Sequence, residues 1–312
     1  MPFFRALSLV CLLSIAVVLS ACQTSDTLSS AADEAARRKV PSGPLSPFKD
    51  SLFEYRTPIE IRDGGEFLRV PYDEQRDING RDELPVRKVK PQYTDPLPAG
   101  TERDFTYGSA GRSLGVLGAG KADGSQRFTV IYLHGSDGNR KWGFDDERFG
   151  GNFNRLKHLV TRAGGAYLSP DFSDFDEKGI ADIRALILSP VTGSAPVVLA
   201  CGSLGTKLCW QLADGGDIRA RLAGIIVLGG FTDSEFLRAA YSGAVAPLPV
   251  YIAHGSEDPV FPVDGMEDFY SALSVKGFPA RMTVFETGNH GTPVRMIDWR
   301  GALNWILSFS RR

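Results

Sequence analysis

The stretch PVVLACGSLGTKLCWQLA, residues 196–213, decides how the rest of the sequence is interpreted. An apolar run, Pro196–Leu199, precedes a glycine-flanked turn that holds Ser203, and the residues after the turn continue as a helix-like segment. Small neighbours, Gly202 and Gly205, permit a sharp turn from strand to helix, and such a turn projects a serine hydroxyl to where a substrate can reach it. The helix N-terminus also favours negative charge developing beside it. The pattern predicts a nucleophilic serine.

The pattern Gly-Ser-x-Gly occurs three times, at Gly108–Gly111, Gly135–Gly138 and Gly202–Gly205. Ser109 has no apolar strand before it and no helix-like segment after it. Ser136 follows a strand, but the residues after it, DGNRKWGFDDERFGG, are polar and glycine-rich and indicate a loop. Only Ser203 has both the strand and the helix, so we interpret it as the nucleophile.

After Arg112 apolar runs alternate with helix-like stretches. The strand-like runs are Phe128–Leu133, Ala166–Ser169, Pro196–Leu199, Ala223–Leu228, Pro249–Ala253 and Met282–Phe285. The helix-like stretches are Asn152–Thr161, Gly179–Leu188, Leu204–Leu212, Ser234–Tyr241, Gly265–Val275 and Val294–Phe309. This alternation predicts an α/β fold with a mostly parallel central sheet and helices on both faces. Binding and catalytic groups in such sheets lie in loops beyond the carboxyl ends of the strands.

Four loops at predicted strand ends carry short glycine motifs. They are His134-Gly135-Ser136-Asp137-Gly138, Cys201-Gly202-Ser203-Leu204-Gly205, His254-Gly255-Ser256-Glu257-Asp258-Pro259 and Gly288-Asn289-His290-Gly291. With these motifs, roughly residues 113–312 resemble the α/β-hydrolase family. The resemblance implies the α/β-hydrolase fold and a serine hydrolase activity. The family usually has glycine two positions before the nucleophile, whereas this chain has Cys201, which is small enough for the turn.

The base that activates the serine is expected to be a histidine, because that side chain titrates near neutral pH. The sequence has four histidines. His158 lies in a helix-like stretch, NRLKHLV, as a surface or packing residue. His134 and His254 each end a strand before glycine, where side chains commonly hold loop geometry. His290 follows the last strand, and the chain order of the family, serine, acid, histidine, assigns it as the base.

An acidic side chain must orient the imidazole and stabilise its protonated form. The loop HGSEDPVFP resembles the family's His-Gly-x-x-Asp loop, which assigns Asp258 as the acid. Glu257 beside it and Asp233 after the preceding strand are alternatives, and each of these carboxylates could instead accept backbone hydrogen bonds in a turn. The same resemblance assigns the backbone N–H groups of Ser136 and Leu204 to an oxyanion hole.

No cofactor or metal is expected. The sequence lacks a dinucleotide-binding fingerprint and a phosphate-binding Gly-Lys-Thr loop, and DFSDFDE, Asp171–Glu177, is interpreted as a loop that caps the next helix. The formal net charge of −2 gives no electrostatic reason for nucleic-acid binding.

The N-terminus has the pattern of a bacterial export signal. Arg5 precedes an apolar stretch, Ala6–Leu19, that is too short to span a bilayer comfortably, and Leu19-Ser20-Ala21-Cys22 resembles the lipobox of bacterial lipoproteins. The resemblance implies that residues 1–21 are removed and that Cys22 is acylated; an ordinary signal peptide cleaved after Ala21 is the alternative. Gln23 is not the aspartate associated with inner-membrane retention, which favours the outer membrane.

Between the anchor and the hydrolase domain we expect two further segments. Residues 22–50, rich in Ser, Ala, Pro and charge, are predicted to be a flexible tether. Residues 51–112 hold short alternating segments such as EYRTPIEIRD and are predicted to be a β-rich extension packed on the 113–312 domain. Cys201 and Cys209 are expected to be buried free thiols, because a strand-to-helix turn should keep their Cα atoms beyond about 7 Å.

The residues and the location together suggest a substrate. A triad with an oxyanion hole implies acyl transfer from a carboxylic ester to water. The short segment between Phe231 and Pro249 leaves room at most for a small apolar lid, and phospholipid is the abundant ester at a membrane-anchored site. The chain is therefore similar to bacterial outer-membrane phospholipases A of the α/β-hydrolase type. A short-chain carboxylesterase, a peptidase of the same fold and an inactive envelope binding module are the alternatives.

Overall fold

A ten-stranded sheet forms the centre of the computed structural model, which describes residues 41–214, 216–243 and 246–310. The strands are β1 Glu60–Arg62, β2 Phe67–Pro71, β3 Asp82–Glu83, β4 Lys88–Val89, β5 Glu102–Ser109, β6 Arg112–Gly120, β7 Thr129–Leu133, β8 Ala166–Pro170, β9 Val197–Gly202, β10 Leu222–Leu228, β11 Val250–Gly255 and β12 Ala280–Glu286. Their order in the sheet is β1-β2-β12-β11-β10-β9-β7-β8-β6-β5, and β3 and β4 form a separate hairpin. Strands β7 to β12 pair in parallel. The predicted fold class is confirmed.

The helices cover both faces of this sheet. They are α1 Asn152–Arg162, α2 Glu177–Ile187, α3 Thr206–Asp214, α4 Gly216–Arg219, α5 Ser234–Ser242, α6 Val263–Val275, α7 Thr292–Met296 and α8 Trp299–Phe309. Successive residues of a strand point to opposite faces. Accordingly, Val197 and Leu199 belong to a core with α2, α3, α5 and α6, whereas Val198 and Ala200 belong to a second core with α1 and α8.

The last predicted helix is wrong in one respect. The sequence favours one helix over Val294–Phe309, but the chain forms α7 and α8 with an extended break at Ile297 and Asp298. The Asp298 carboxylate accepts the Gly301 N–H (3.2 Å) and caps α8. A cap of this kind satisfies one of the free N–H groups at a helix start, so the break is stabilised locally.

The N-terminal extension supplies part of the central sheet. Strand β2 pairs in parallel with β12, and β1 pairs antiparallel with β2, so the extension lengthens the sheet at one end. At the other end β5 and β6 form an antiparallel hairpin. Its turn residues, Ala110 and Gly111, have φ of 48° and 77°, as two-residue hairpin turns require. The boundary between 51–112 and 113–312 therefore falls inside one hairpin, and Ser109 is simply the last residue of β5.

The predicted tether over residues 22–50 is wrong for its last residues. Leu45 is 2 % exposed, and both its backbone groups bond to the Asn304 side chain, at 3.0 Å and 3.1 Å. An apolar side chain with its backbone polar groups satisfied is stable inside the fold. Asp50 also pairs with Arg155 at 2.9 Å. Residues 22–40 lie outside the described residues, as do the signal segment 1–21 and Cys22.

This packing buries α1 from Asn152 to Val160, including the charged side chains of Arg155 and Lys157. Arg155 and Lys157 are each 1 % exposed. Arg155 pairs with Asp50 and Asp298, both at 2.9 Å, and Lys157 pairs with Glu102 at 2.6 Å. A buried charge is tolerated only when it is paired, and here the partners include Asp50 and, from the extension, Glu102. His158 on the same helix stacks on Phe48 (ring centroids 4.5 Å apart), so it is a packing residue.

Within the described residues, none of the helices is both long enough and apolar enough to cross a membrane.

Candidate active site

The turn after β9 has the strained geometry of a strand-to-helix elbow. Ser203 has φ of 50°, which a residue with a side chain rarely adopts, and a single 3-10 turn, Ser203–Gly205, leads into α3. A Cβ at Gly205 would lie 2.6 Å from the carbonyl oxygens of both Leu133 and His134, so only glycine lets the turn pass β7. The strain is held by a buried strand on one side and a buried helix on the other.

Ser203, His290 and Asp258 form one continuous chain of hydrogen bonds. His290 Nε2 lies 2.9 Å from Ser203 Oγ, and His290 Nδ1 lies 2.8 Å from Asp258 Oδ2. Ser203 follows β9, Asp258 follows β11 and His290 follows β12, and the carboxyl ends of these parallel strands meet at one edge of the sheet. The Asp258 side chain is fully buried, whereas that of His290 is 28 % exposed.

The environment of Asp258 fixes the tautomer of His290. Asp258 Oδ1 accepts the backbone N–H groups of Val260 (2.8 Å) and Phe261 (3.1 Å), which leaves Oδ2 to face the imidazole. An ionised carboxylate can only accept, so His290 Nδ1 carries its proton toward Asp258. Nε2 is then free to accept the proton of the Ser203 hydroxyl, as a general base must.

One of the two alternative acids caps a helix and the other is exposed. Asp233 caps α5 by accepting the Phe236 N–H at 2.7 Å. Glu257 has an exposed side chain, and its own N–H donates to the carbonyl oxygen of Gly288 at 2.9 Å. Of the three carboxylates that the sequence left open, Asp258 is the one in contact with His290.

Two other histidines have structural partners. His134 is buried, its Nδ1 lies 2.9 Å from the Gly135 carbonyl oxygen, and its ring stacks on Phe172 at 4.3 Å. His254 is fully buried and its Nε2 donates to the Phe261 carbonyl oxygen at 2.8 Å. Burial lowers the pKa of both imidazoles. Both therefore hold loop geometry, as the sequence indicated.

The sequence did not reveal that His254 also reaches the acid. Its Nε2 lies 3.5 Å from Asp258 Oδ2, and its Nδ1 is buried with no hydrogen-bond partner among the described residues. Because the Phe261 carbonyl can only accept, Nε2 carries the proton and Nδ1 is bare. The contact links the histidine and the aspartate of the His-Gly-x-x-Asp motif, and their i, i+4 spacing is the sequence signal from which it could have been predicted.

The Gly135–Gly138 motif lies against the motif that holds Ser203, Gly202–Gly205. Ser136 is exposed in the loop after β7, and the next α-helix begins only at Asn152, so the loop is not an elbow. A Cβ built on Gly135 would lie 2.8 Å from Ser203 Cβ and 3.3 Å from its Oγ. The Gly135-Ser136 segment therefore lies directly beside the hydroxyl. Leu204 is in the 3-10 turn on the helix side of the same hydroxyl.

A glycine that the sequence did not single out also lies against the hydrogen-bonded chain. Gly229, directly after β10, has φ of 55°, and a Cβ there would lie 2.9 Å from the His290 carbonyl oxygen. The same Cβ would be 3.7 Å from Asp258 Oδ2. Two consecutive glycines at the carboxyl end of a buried strand, Gly229 and Gly230, were the available signal.

The expectation of free thiols at Cys201 and Cys209 is wrong, because the two residues form a disulfide. Their Cα atoms are 6.5 Å apart, inside the bridging range. The elbow at Ser203 turns the chain back so sharply that Cys209, the fourth residue of α3, lies over the end of β9. Both cysteines are fully buried. The residue that replaces the usual glycine thus ties the strand to the helix on either side of the turn.

Aromatic side chains flank the site on two sides. Phe261 packs edge-on against the His290 ring (centroids 5.6 Å apart) and contacts Phe231 at 5.1 Å. On the other side, Phe172 stacks on His134 and contacts Phe175 at 5.3 Å. All four phenylalanines are partly exposed. Within the described residues, no group of three or more His, Cys, Asp or Glu side chains is placed to hold a metal ion.

Comparison with known proteins bears on the fold. A CIB-like hydrolase from Thermoplasma acidophilum, described as predicted, superposes with a TM-score of 0.51 at 15 % identity and covers 67 % of this chain and 98 % of its own. The chain has the α/β-hydrolase fold. Esterase Pf2001 of Pyrococcus furiosus (TM-score 0.49, 13 % identity, 69 % of this chain, 96 % of its own) is also similar. Esterase 2 of Thermogutta terrifontis, phosphorylated by paraoxon, is similar as well (TM-score 0.45, 15 % identity, 63 % of this chain, 86 % of its own). No family model and no curated protein sequence matches the chain.

Proposed function

We propose that the chain is a serine hydrolase of carboxylic esters in which Ser203 is the nucleophile, His290 the general base and Asp258 the acid. The observation that carries this proposal is the continuous pair of hydrogen bonds from Ser203 Oγ through the imidazole to Asp258 Oδ2, 2.9 Å and 2.8 Å long. Nucleophile and base within hydrogen-bond reach, with the base oriented by a third group, is the arrangement that activates a serine hydroxyl.

The reaction follows from the roles of these groups. Ser203 Oγ attacks the ester carbonyl carbon while His290 Nε2 takes the hydroxyl proton, and Asp258 stabilises the imidazolium. The oxyanion of the tetrahedral intermediate accepts hydrogen bonds from the backbone N–H groups of Ser136 and Leu204. Collapse expels the alcohol, which takes the proton from His290, and leaves an acyl ester on Ser203. Water, deprotonated by His290, then attacks the acyl carbon; the bond to Ser203 Oγ breaks, Oγ takes the proton back from His290, and the carboxylic acid is released.

The direct test is ester hydrolysis by matched serine variants. Ser203→Ala should reduce turnover of a p-nitrophenyl ester by about 10⁶, because the nucleophile is lost. Ser136→Ala is the control, since it removes the same hydroxyl from the neighbouring motif but keeps the backbone N–H; its turnover should stay within a few-fold of the wild type. Equal losses in both variants, or none in Ser203→Ala, would contradict the assignment.

We propose further that the substrate is a phospholipid, cleaved as by a phospholipase A. Partly exposed phenylalanines on both sides of Ser203 favour esters with apolar groups. The lipobox-like sequence ending at Cys22 favours a lipid-anchored location in the outer membrane. The disulfide between Cys201 and Cys209 is consistent with export to an oxidising compartment.

Mass spectrometry of lipid extracts incubated with the wild type and with Ser203→Ala tests the substrate. A phospholipase A releases lysophospholipid and free fatty acid in the wild-type sample alone. If short p-nitrophenyl esters are hydrolysed but phospholipid is left uncleaved, a short-chain carboxylesterase is favoured instead. Cleavage of peptide substrates would favour a peptidase. No turnover of any of these substrates would favour an inactive binding module.

The location has a separate test. Cys22→Ser removes the proposed attachment point and should release the protein from the membrane fraction. A variant that stays with the membranes would contradict the lipid anchor without bearing on the triad.

A further inference from the structure

A cavity of about 250 Å³ lies between residues 51–56 and 76–81 of the N-terminal extension and the carboxyl ends of β2 and β12. It is separate from Ser203, which does not line it. Its apolar lining comes from Leu52, Val70, Pro71, Phe285 and Met296, and its polar lining includes Arg56, Arg76 and Arg81. The volume is somewhat below the roughly 300–1,000 Å³ of pockets that hold drug-sized ligands, so a smaller molecule would fit.

Arg81 is the unusual member of this lining. It is 6 % exposed, and its guanidinium donates to the carbonyl oxygens of Asp77 (2.9 Å) and Leu52 (3.1 Å). Its remaining terminal nitrogen meets the Met296 sulfur at 3.5 Å, and the Phe53 ring lies 4.6 Å from the guanidinium carbon. A thioether is a weak acceptor.

Charged partners for this guanidinium are missing. Among the described residues, no carboxylate forms a salt bridge with Arg81, although buried charges are normally paired. Burial lowers the pKa of the Arg81 guanidinium to about 10, and Asp82 and Asp77 oppose that shift only from a distance. Asp82 pairs instead with Arg295 at 2.9 Å. A buried cation therefore faces a cavity without a counter-ion.

The charged side chains that line the cavity have a net positive charge. Asp77 is engaged by Arg76 at 2.6 Å, with Arg56 at 3.7 Å, and the other acid, Glu54, is exposed. Three arginines and two carboxylates line the cavity, which leaves one net positive charge. Arg56 has a side chain that is 57 % exposed and only this long contact to Asp77, so its donors remain available at the mouth.

We propose that this cavity binds a small monocarboxylate, whose carboxylate accepts from Arg81 and whose apolar tail lies toward Phe285 and Met296. One net positive charge matches a monoanion, and a guanidinium matches the planar carboxylate. The apolar half of the lining selects an acid with a short hydrocarbon tail over a fully hydrated anion. This binding site is distinct from the proposed catalytic site and does not depend on its activity.

Isothermal titration of the full chain in detergent with hexanoate tests the proposal. Hexanoate should bind saturably at one site, at least tenfold more tightly than neutral hexanamide or acetate. Arg81→Met should weaken hexanoate binding by about tenfold to a hundredfold, the usual effect of losing a hydrogen bond to a charged group. Tighter binding of inorganic phosphate than of hexanoate would overturn the assignment to a carboxylate with an apolar tail.

A matched pair of surface variants keeps the test valid if Arg81→Met does not fold. Arg56→Gln removes a charge from the mouth of the cavity, and Arg148→Gln removes a comparably exposed arginine that does not line it; the two side chains are 57 % and 48 % exposed. Arg56→Gln should weaken hexanoate binding several-fold and Arg148→Gln should leave it unchanged. Equal effects of the two variants, or no binding by the wild type, would overturn the proposed binding site.

Discussion

Asparagine at position 258 is expected to disable the enzyme while leaving its fold intact. Asp258 uses Oδ1 for two backbone N–H groups and Oδ2 for His290 Nδ1–H. Asparagine has one oxygen, and two backbone donors outweigh one imidazole donor, so that oxygen stays at the Oδ1 position. The NH₂ group then faces His290 Nδ1 and donates to it. The imidazole proton must move to Nε2, which can no longer accept from Ser203.

The size of the effect follows from this change of tautomer. Loss of the correct tautomer with otherwise intact geometry typically lowers kcat by about 10⁴. That factor corresponds to about 5.4 kcal/mol of transition-state stabilisation. KM should change little, because Asp258 is buried behind the imidazole and does not reach the substrate.

Steady-state hydrolysis of a p-nitrophenyl ester at neutral pH measures this loss. Glu257→Gln is the matched control, since it neutralises the adjacent, exposed carboxylate and should leave kcat within a few-fold. The reasoning is refuted if Asp258→Asn keeps kcat within tenfold of the wild type while Asp233→Asn does not. Asp258→Asn and Glu257→Gln should both unfold at the wild-type Tm, which would show that the loss of kcat does not come from a loss of folding.

Three further predictions come from other features of the structure. A Cys201→Ala/Cys209→Ala double variant should unfold about 2.5 kcal/mol more easily in urea, because the bridge closes a loop with a sequence separation of 8; reductant should destabilise the wild type alone. Gly135→Ala should lower kcat about a hundredfold and also lower Tm, since its Cβ would lie 2.8 Å from the serine Cβ; full activity would contradict the packing. Burial lowers the pKa of His134 and His254, so the unfolded chain binds more protons below pH ~6.5 and stability should fall as pH drops, by up to ~1.4 kcal/mol per unit for each histidine. The free energy of unfolding, measured in urea at several pH values, should fall less steeply with decreasing pH in His254→Gln than in the wild type. An equally steep fall would contradict this assignment.

The central fold was predictable because its signals are local. Each of the six parallel strands contains a buried apolar run, so composition alone marks it, and the intervening helices have their own periodicity. The place of β1 and β2 in the sheet was not predictable. Both are short, and what fixes β2 beside β12 is pairing with residues more than 200 positions away, such as Arg69 with Val284. Sequence patterns carry no register for contacts of that range.

The site, too, was predictable where its signals are local in sequence and was missed where it depends on contacts between distant residues. Ser203 could be chosen from three similar motifs because strand and helix flank it directly in sequence. Asp258 needed the family's His-Gly-x-x-Asp loop, which separates it from the adjacent Glu257, and His290 needed the family's chain order. The disulfide was missed because its Cα separation of 6.5 Å depends on how far the elbow turns the chain back, which a positive φ at Ser203 sets. The burial of Lys157 was missed because the covering segments come from elsewhere in the chain.

The most direct test of the proposed mechanism is to identify the residue that reacts with a fluorophosphonate probe. A fluorophosphonate is attacked only by a serine that a neighbouring base has activated. Intact-mass measurement and peptide mapping of the full chain should show one adduct, on Ser203, that is absent from Ser203→Ala and strongly slowed in Asp258→Asn. An adduct on Ser136, or labelling that persists in Ser203→Ala, would contradict the account.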